Sequence, residues 1–139
     1  MTYCVKQDLI DRYGQEELIQ LADRANAGVI DDTVLDQAIA DADSLIDGYL
    51  ASRYSLPLSD VPVSLVRVAA ALTRYFLYTE AATDQVEKAH DQAIAWLKDV
   101  ARGTVNLGLS ATNGKPNPAD SAQVDSAGTV FGRKDKSFI

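Results

Sequence analysis

The run AIADADSLIDGYLASRYSLPLSDVPVSLVRVAAALTRYFLY, residues 38–78, decides the fold. It opens on a helical pattern, breaks at Pro57 and Pro62, and leaves on a second helical pattern. Into the break, Leu35, Ile39, Ala42, Leu45, Ile46 and Tyr49 recur at helix spacing, while Asp32, Asp36, Asp43 and Asp47 are expected on a solvated face. Out of it, Leu65, Val68, Ala69, Leu72 and Phe76 form an apolar stripe. Two long helices joined by a corner follow from this reading.

The corner residues explain one another. Gly48 lies within the first helix at a cost of about 1 kcal/mol relative to alanine, and such a glycine often marks the approach of another backbone. Tyr49, Arg53 and Tyr54 fall near the helix end, where Arg53 is placed to satisfy terminal carbonyls and complement the dipole. Leu56 precedes Pro57 and is therefore pushed out of helical geometry. Leu56, Leu58 and Val61 are then free to plug the end of a core. Pro62 suits the first turn of the next helix, where its missing N–H has no partner to lose.

Outward from the corner, the pattern stays helical. KQDLIDRYG is a short helix closed by Gly14, a residue suited to a left-handed cap. QEELIQLADR carries acids in its first turn, where they complement the helix dipole. Asp31 or Asp32 caps the helix that enters the corner, and Thr83 caps a last helix running to Gly103. Val86, Ala93, Trp96, Leu97 and Val100 give the inner side of that last helix, and TVNLGL leaves it as a short extended segment. The expectation is an all-α domain of roughly five helices.

Composition and charge divide the chain near Leu109. Residues 1–109 hold 17 acids and 9 bases, whereas residues 110–139 hold 3 acids and 4 bases. The second part, SATNGKPNPADSAQVDSAGTVFGRKDKSFI, is rich in small and polar residues with Asn-Gly and X-Pro breakers, and cannot build a core alone. Its end regains apolar residues, and AGTVFGR admits one short β-strand. The reading is a helical domain over 1–109 and an extended C-terminal arm over 110–139. Docking residues on that arm are Val124, Val130, Phe131, Arg133, Lys134, Phe138 and Ile139.

The 139 residues carry a formal net charge of −7. An acidic chain argues against nucleic-acid binding, which needs neutralised phosphates, and against anionic membrane surfaces. The single cysteine, Cys4, forms no internal disulfide, the N-terminus carries charges where a signal peptide needs an apolar run, and Arg67 and Arg74 interrupt the most apolar window. A soluble chain made in the cytoplasm is expected.

Chemistry finds little footing. DRANAGVIDDTV, residues 23–34, has the rhythm of a calcium loop, but Ala25, Ala27 and Val34 stand where oxygen ligands belong. Glu87 and His90 have the Glu-x-x-His spacing of di-iron bundles without a second copy, in a chain with one histidine. GLSATNGK is one residue too long for a phosphate-binding loop, and Pro116 stands where a hydroxyl should meet magnesium. The aspartate stripe reads as a solvated face rather than a metal site. The expectation is a non-enzymatic protein with no cofactor or metal.

The blocks YCVKQDLIDRYGQEELIQLAD, AIADADSLIDGYLASRYSLPL, VPVSLVRVAAALTRYFLY and AIAWLKDVARGTVNLGL, in this order and spacing, resemble the Mu-like head–tail connector, or neck, proteins of tailed bacteriophages. IDGYLASRYSLPL is the most specific block, and TVFGRKDKSF is similar to the family's terminal motif. The resemblance implies a structural virion protein at the neck. It would form a homo-oligomeric ring, commonly a dodecamer, beneath the portal protein, and join it to a downstream neck, stopper or tail-completion protein. DNA would pass through the channel without specific binding, and an acidic wall would let it slide. The arm would reach the portal or neighbouring subunits. The competing expectation is a transient helical assembly chaperone or regulator that is absent from the finished particle.

Overall fold

A computed structural model describes residues 1–109; the expected arm and its docking residues, and the short strand near AGTVFGR, lie outside the described residues. Five helices follow in order: α1 (Lys6–Tyr13), α2 (Gln15–Ala22), α3 (Asp32–Leu50), α4 (Val63–Leu77) and α5 (Asp84–Arg102). The fold is all-α, with no β-strand among the described residues. None of the helices is long and apolar enough to cross a membrane.

The helices α3, α4 and α5 pack against one another and enclose the core, and the α1–α2 pair closes over α4 and α3. Leu35, Ile46, Leu50, Leu65, Leu72 and Leu97 are fully buried at the centre. Each helix boundary has a local cause. Asp31 caps α3 by accepting from the Thr33 N–H at 3.0 Å, and Thr83 caps α5 by accepting from the Val86 N–H at 3.3 Å. The Asp8 carboxylate reaches back to the Val5 N–H at 2.9 Å and closes the first turn of α1.

Two punctuating residues differ in detail from expectation. Gly14 has a positive φ of 91°, but its ψ of 147° lies beyond the left-handed helical region, in a conformation essentially reserved for glycine. One residue thereby ends α1 and starts α2 in a new direction. Pro62 stands one position before α4 rather than in its first turn, because its ψ of 151° is extended; its carbonyl accepts from the Leu65 and Val66 N–H groups.

The pair α1–α2 is locked to α4 by a contact that no periodicity announces. Arg74 donates through Nε and Nη2 to the two carboxylate oxygens of Glu17 at 2.6 and 2.8 Å, and its guanidinium lies 4.4 Å from the centre of the Tyr13 ring. A forked, half-buried pair of this kind is stronger and more directional than an exposed one. Glu17, expected to serve the α2 dipole, serves tertiary structure as well.

Candidate functional site

The corner between α3 and α4 holds the place where the chain departs for its last thirty residues. After Leu50, the Arg53 and Tyr54 N–H groups both donate to the Leu50 carbonyl, at 3.0 and 2.9 Å, and turn the chain. Tyr54 is buried, and its hydroxyl accepts from the Leu107 N–H at 3.2 Å. The Arg53 guanidinium lies against Gly103, so close that a Cβ there would stand 2.6 Å from Nη1 and 2.9 Å from Cζ. Gly103 is left-handed at φ 86°, and the Thr104 N–H donates back to the Asp99 carbonyl, closing α5 as a Schellman cap. The sequence assigned Arg53 to helix-end carbonyls; the structure sets it over the end of α5.

The remaining corner residues divide between core and surface. Leu58 is buried, Leu56 and Val61 are half-buried against the core, and Pro57 is exposed, following a cis peptide bond. Gly48 corrects an expectation: among the described residues, nothing lies within 4 Å of where its Cβ would be. No backbone of the domain itself approaches it.

A second polar cluster went unread in the sequence. Residues 1–5 form an N-terminal strap across α3, in which Tyr3 and Cys4 are each 2 % exposed. The Tyr3 N–H donates to Asp43 Oδ1 at 3.0 Å, and the Tyr3 hydroxyl donates to Asp47. Cys4 Sγ lies 3.7 Å from Thr73 Oγ1 on α4, and Met1 Sδ accepts from the Leu58 N–H at 3.1 Å. Asp43 is therefore not part of a solvated stripe. It is 9 % exposed, and burial raises its carboxyl above the ordinary 3.8, against the lowering effect of the Tyr3 N–H. Burial likewise pushes the Cys4 thiol up to about 11, although the bond to Thr73 pulls it down in part. The available signal was the four-residue spacing of Asp43 and Asp47, which puts both acids on one helix face.

Two hollows lie end to end along another face of α3. One, of about 430 Å³, is lined by Val34, Gln37, Ala38 and Asp41 of α3 together with Arg24, Phe76 and Leu77. The other is lined by Ser44, Leu45, Gly48 and Tyr49 and runs toward the corner. At 100° per residue these α3 positions share one side of the helix. Arg24 is tied down by donating to the Leu77 carbonyl at 3.3 Å, and Asp41 accepts from Gln37 at 3.0 Å on the exposed rim.

Of the motifs weighed for chemistry, those at Asp23 and His90 serve turns and packing, and most of GLSATNGK lies outside the described residues. Asp23 accepts from the Ala27 and Gly28 N–H groups at 2.8 and 2.7 Å and closes the α2–α3 link. His90 stacks on Tyr75 with ring centres 4.0 Å apart and meets Asp91 at 3.1 Å, a residue of the α4–α5 interface. Among the described residues no group of three or more His, Cys, Asp or Glu side chains is placed to hold a metal ion.

The comparisons with known proteins agree in one direction. The family model described as Bacteriophage Mu, Gp36 matches residues 3–126. The chain is similar to the Mu-like prophage FluMu protein gp36 of Haemophilus influenzae, 38 % identical over 138 residues that cover 99 % of this chain and 98 % of that protein. It is also similar to gene product J of Escherichia phage Mu, 38 % identical over 141 residues that cover the whole of both.

Proposed function

Since this chain belongs to the Bacteriophage Mu Gp36 family, we propose that it is a head–tail connector: a structural, non-enzymatic protein of the virion neck. In this reading copies of the helical domain form a ring beneath the portal protein, in the twelvefold arrangement common to such connectors. The ring hands the channel on to a stopper or tail-completion protein. The arm, residues 110–139, is the element that reaches portal or neighbouring subunits.

The observation that carries the reading is the clamp at the arm's root. A linker that merely trails from a domain needs no fixed point of departure. Here Arg53 packs on Gly103 and the Tyr54 hydroxyl holds Leu107, within two residues of Leu109. A defined exit lets a long arm be aimed, which a ring of identical subunits needs at every copy. Net charge supports the channel role: a chain at −7 repels the phosphate backbone rather than binding it.

Mass spectrometry of purified virions tests the proposal. A connector is present at ring-like copy number and co-purifies with the portal protein, and images of that complex show a closed ring. Absence from finished particles makes the protein a transient assembly chaperone and ends the connector reading.

A further inference from the structure

The two hollows on the outer face of α3 form a furrow with an unusual feature at each end. Near the corner, Gly48 sits in the interior of a 19-residue helix although nothing described in the chain lies within 4 Å of its Cβ position. The helical cost of that glycine therefore has no return inside the domain. At the far end, Phe76, only half-buried, and Val34 give an apolar floor. Between them stands Asp41, exposed, in a domain whose acids outnumber its bases by 17 to 9.

We infer that this furrow receives the C-terminal segment Thr129–Ile139 of a neighbouring copy. The inference rests on the ring reading and names the surface that the arm engages. The segment TVFGRKDKSFI has aromatic residues at Phe131 and Phe138, separated by Gly132, Arg133, Lys134, Asp135, Lys136 and Ser137. Extended, the two rings stand about 23 Å apart. From Val34 to Tyr49 the helix rises about 22 Å. Aromatic anchors at both ends of the segment thus match apolar hollows at both ends of the furrow, and the basic centre crosses Asp41. Gly48 lets the incoming backbone approach the helix closely.

Length favours a neighbour as the donor. The spacer between Leu109 and Thr129 is 19 residues, a length of chain that reaches about 60 Å at most. A helical domain of 109 residues is about 30 Å across. Drawn out, the spacer is long enough to cross one such domain and reach the next, more than is needed to turn back from the corner onto its own α3.

Carbodiimide cross-linking of the concentrated full-length chain tests the inference, because it joins only amines and carboxylates already in contact. Copies labelled with nitrogen-15 are mixed with unlabelled copies. The expected product is a mixed-isotope peptide joining Lys134 or Lys136 to Asp41. It falls at least tenfold in the full-length Phe131→Ala/Phe138→Ala chain, and equally in Gly48→Leu, which blocks the furrow without touching the arm. Same-isotope links alone mean that each arm occupies its own furrow, and they overturn the neighbour. Absence of any link at Asp41, or links insensitive to Gly48→Leu, overturns the furrow. A chain found in virions with the portal but lacking the mixed link leaves the connector reading standing. A chain absent from virions that gives the link does the reverse.

Discussion

The strap side and the furrow side of α3 use the same few residue types for opposite ends. On one side Asp43 and Asp47 lie beneath the N-terminal strap and bind the Tyr3 N–H and hydroxyl. On the other, Asp41 and Gly48 face outward and meet nothing more than Gln37 within the described domain. Asp43 lies two positions after Asp41, a rotation of about 200° around the helix. The difference teaches that an acid on a helix acquires its role from what is packed on its face. Buried and bonded across the fold, it holds the strap; exposed, it meets only a neighbour on its own helix among the described residues.

The largest effect is expected on the strap. Tyr3→Ala removes a fully buried aromatic and leaves Asp47 without its hydroxyl partner, while the backbone N–H still serves Asp43, costing about 3–5 kcal/mol in urea unfolding. A loss below about 1 kcal/mol would mean that the strap lies on the domain without stabilising it, and the contrast between the two sides would vanish.

A smaller effect separates the buried acid from the exposed one by its pH dependence. Burial raises the folded-state value of Asp43 above 3.8, so between 3.8 and that raised value the folded chain binds more protons than the unfolded one. Stability contributed through Asp43 is therefore greatest below 3.8, declines as pH climbs through this window, and is level above it. Asp43→Asn keeps an oxygen for the Tyr3 N–H and has no proton to lose. Relative to the parent chain, the variant should gain at pH 7 compared with its standing below pH 3.8, as read from urea midpoints at both values. The opposite trend would place Asp43 among the acids stabilised by their charge.

How far this was legible in the sequence follows from the same contrast. Helix stripes, the caps at Asp31 and Thr83, and the corner at Pro57 and Pro62 are local signals, set by residues a few positions apart. They could be read from the letters. Strap and clamp are not local: Tyr3 meets Asp43 forty positions on, Tyr54 meets Leu107, and Arg74 meets Glu17 fifty-seven positions back. Periodicity carries no information at such separations. Asp43 was misassigned because a solvated stripe and a buried bonded pair have the same helical spacing, and only the strap distinguishes them. Gly48 reads in the sequence as a glycine that marks the approach of another backbone, and the described domain provides none.

Gly48→Ala should sharpen the contrast by raising stability. Alanine is about 1 kcal/mol better than glycine inside a helix, and there is open space for its methyl group. A gain of about 0.5–1 kcal/mol in urea unfolding, together with weaker joining of Lys134 to Asp41, would show a residue kept at the domain's expense for contact outside it. A loss of stability would instead reveal a contact within the domain at that position.

The smallest effect on the fold is expected at Asp41, and that smallness is what gives the measurement its force. Asp41→Asn keeps the size of an exposed side chain whose one described bond is to Gln37, so unfolding should move by less than about 0.5 kcal/mol. Asparagine also offers no carboxylate for the carbodiimide, so association is followed by sedimentation rather than by cross-linking. An exposed ion pair with Arg133 or Lys134 contributes about 0.2–1 kcal/mol, which corresponds to at most about a fivefold weakening. Raising the salt concentration should weaken the parent chain's association toward that of the variant, since the lost attraction is screened. Should Asp41→Asn instead destabilise the domain by about 1 kcal/mol or more, both sides of α3 would serve the fold, with no side left for the arm.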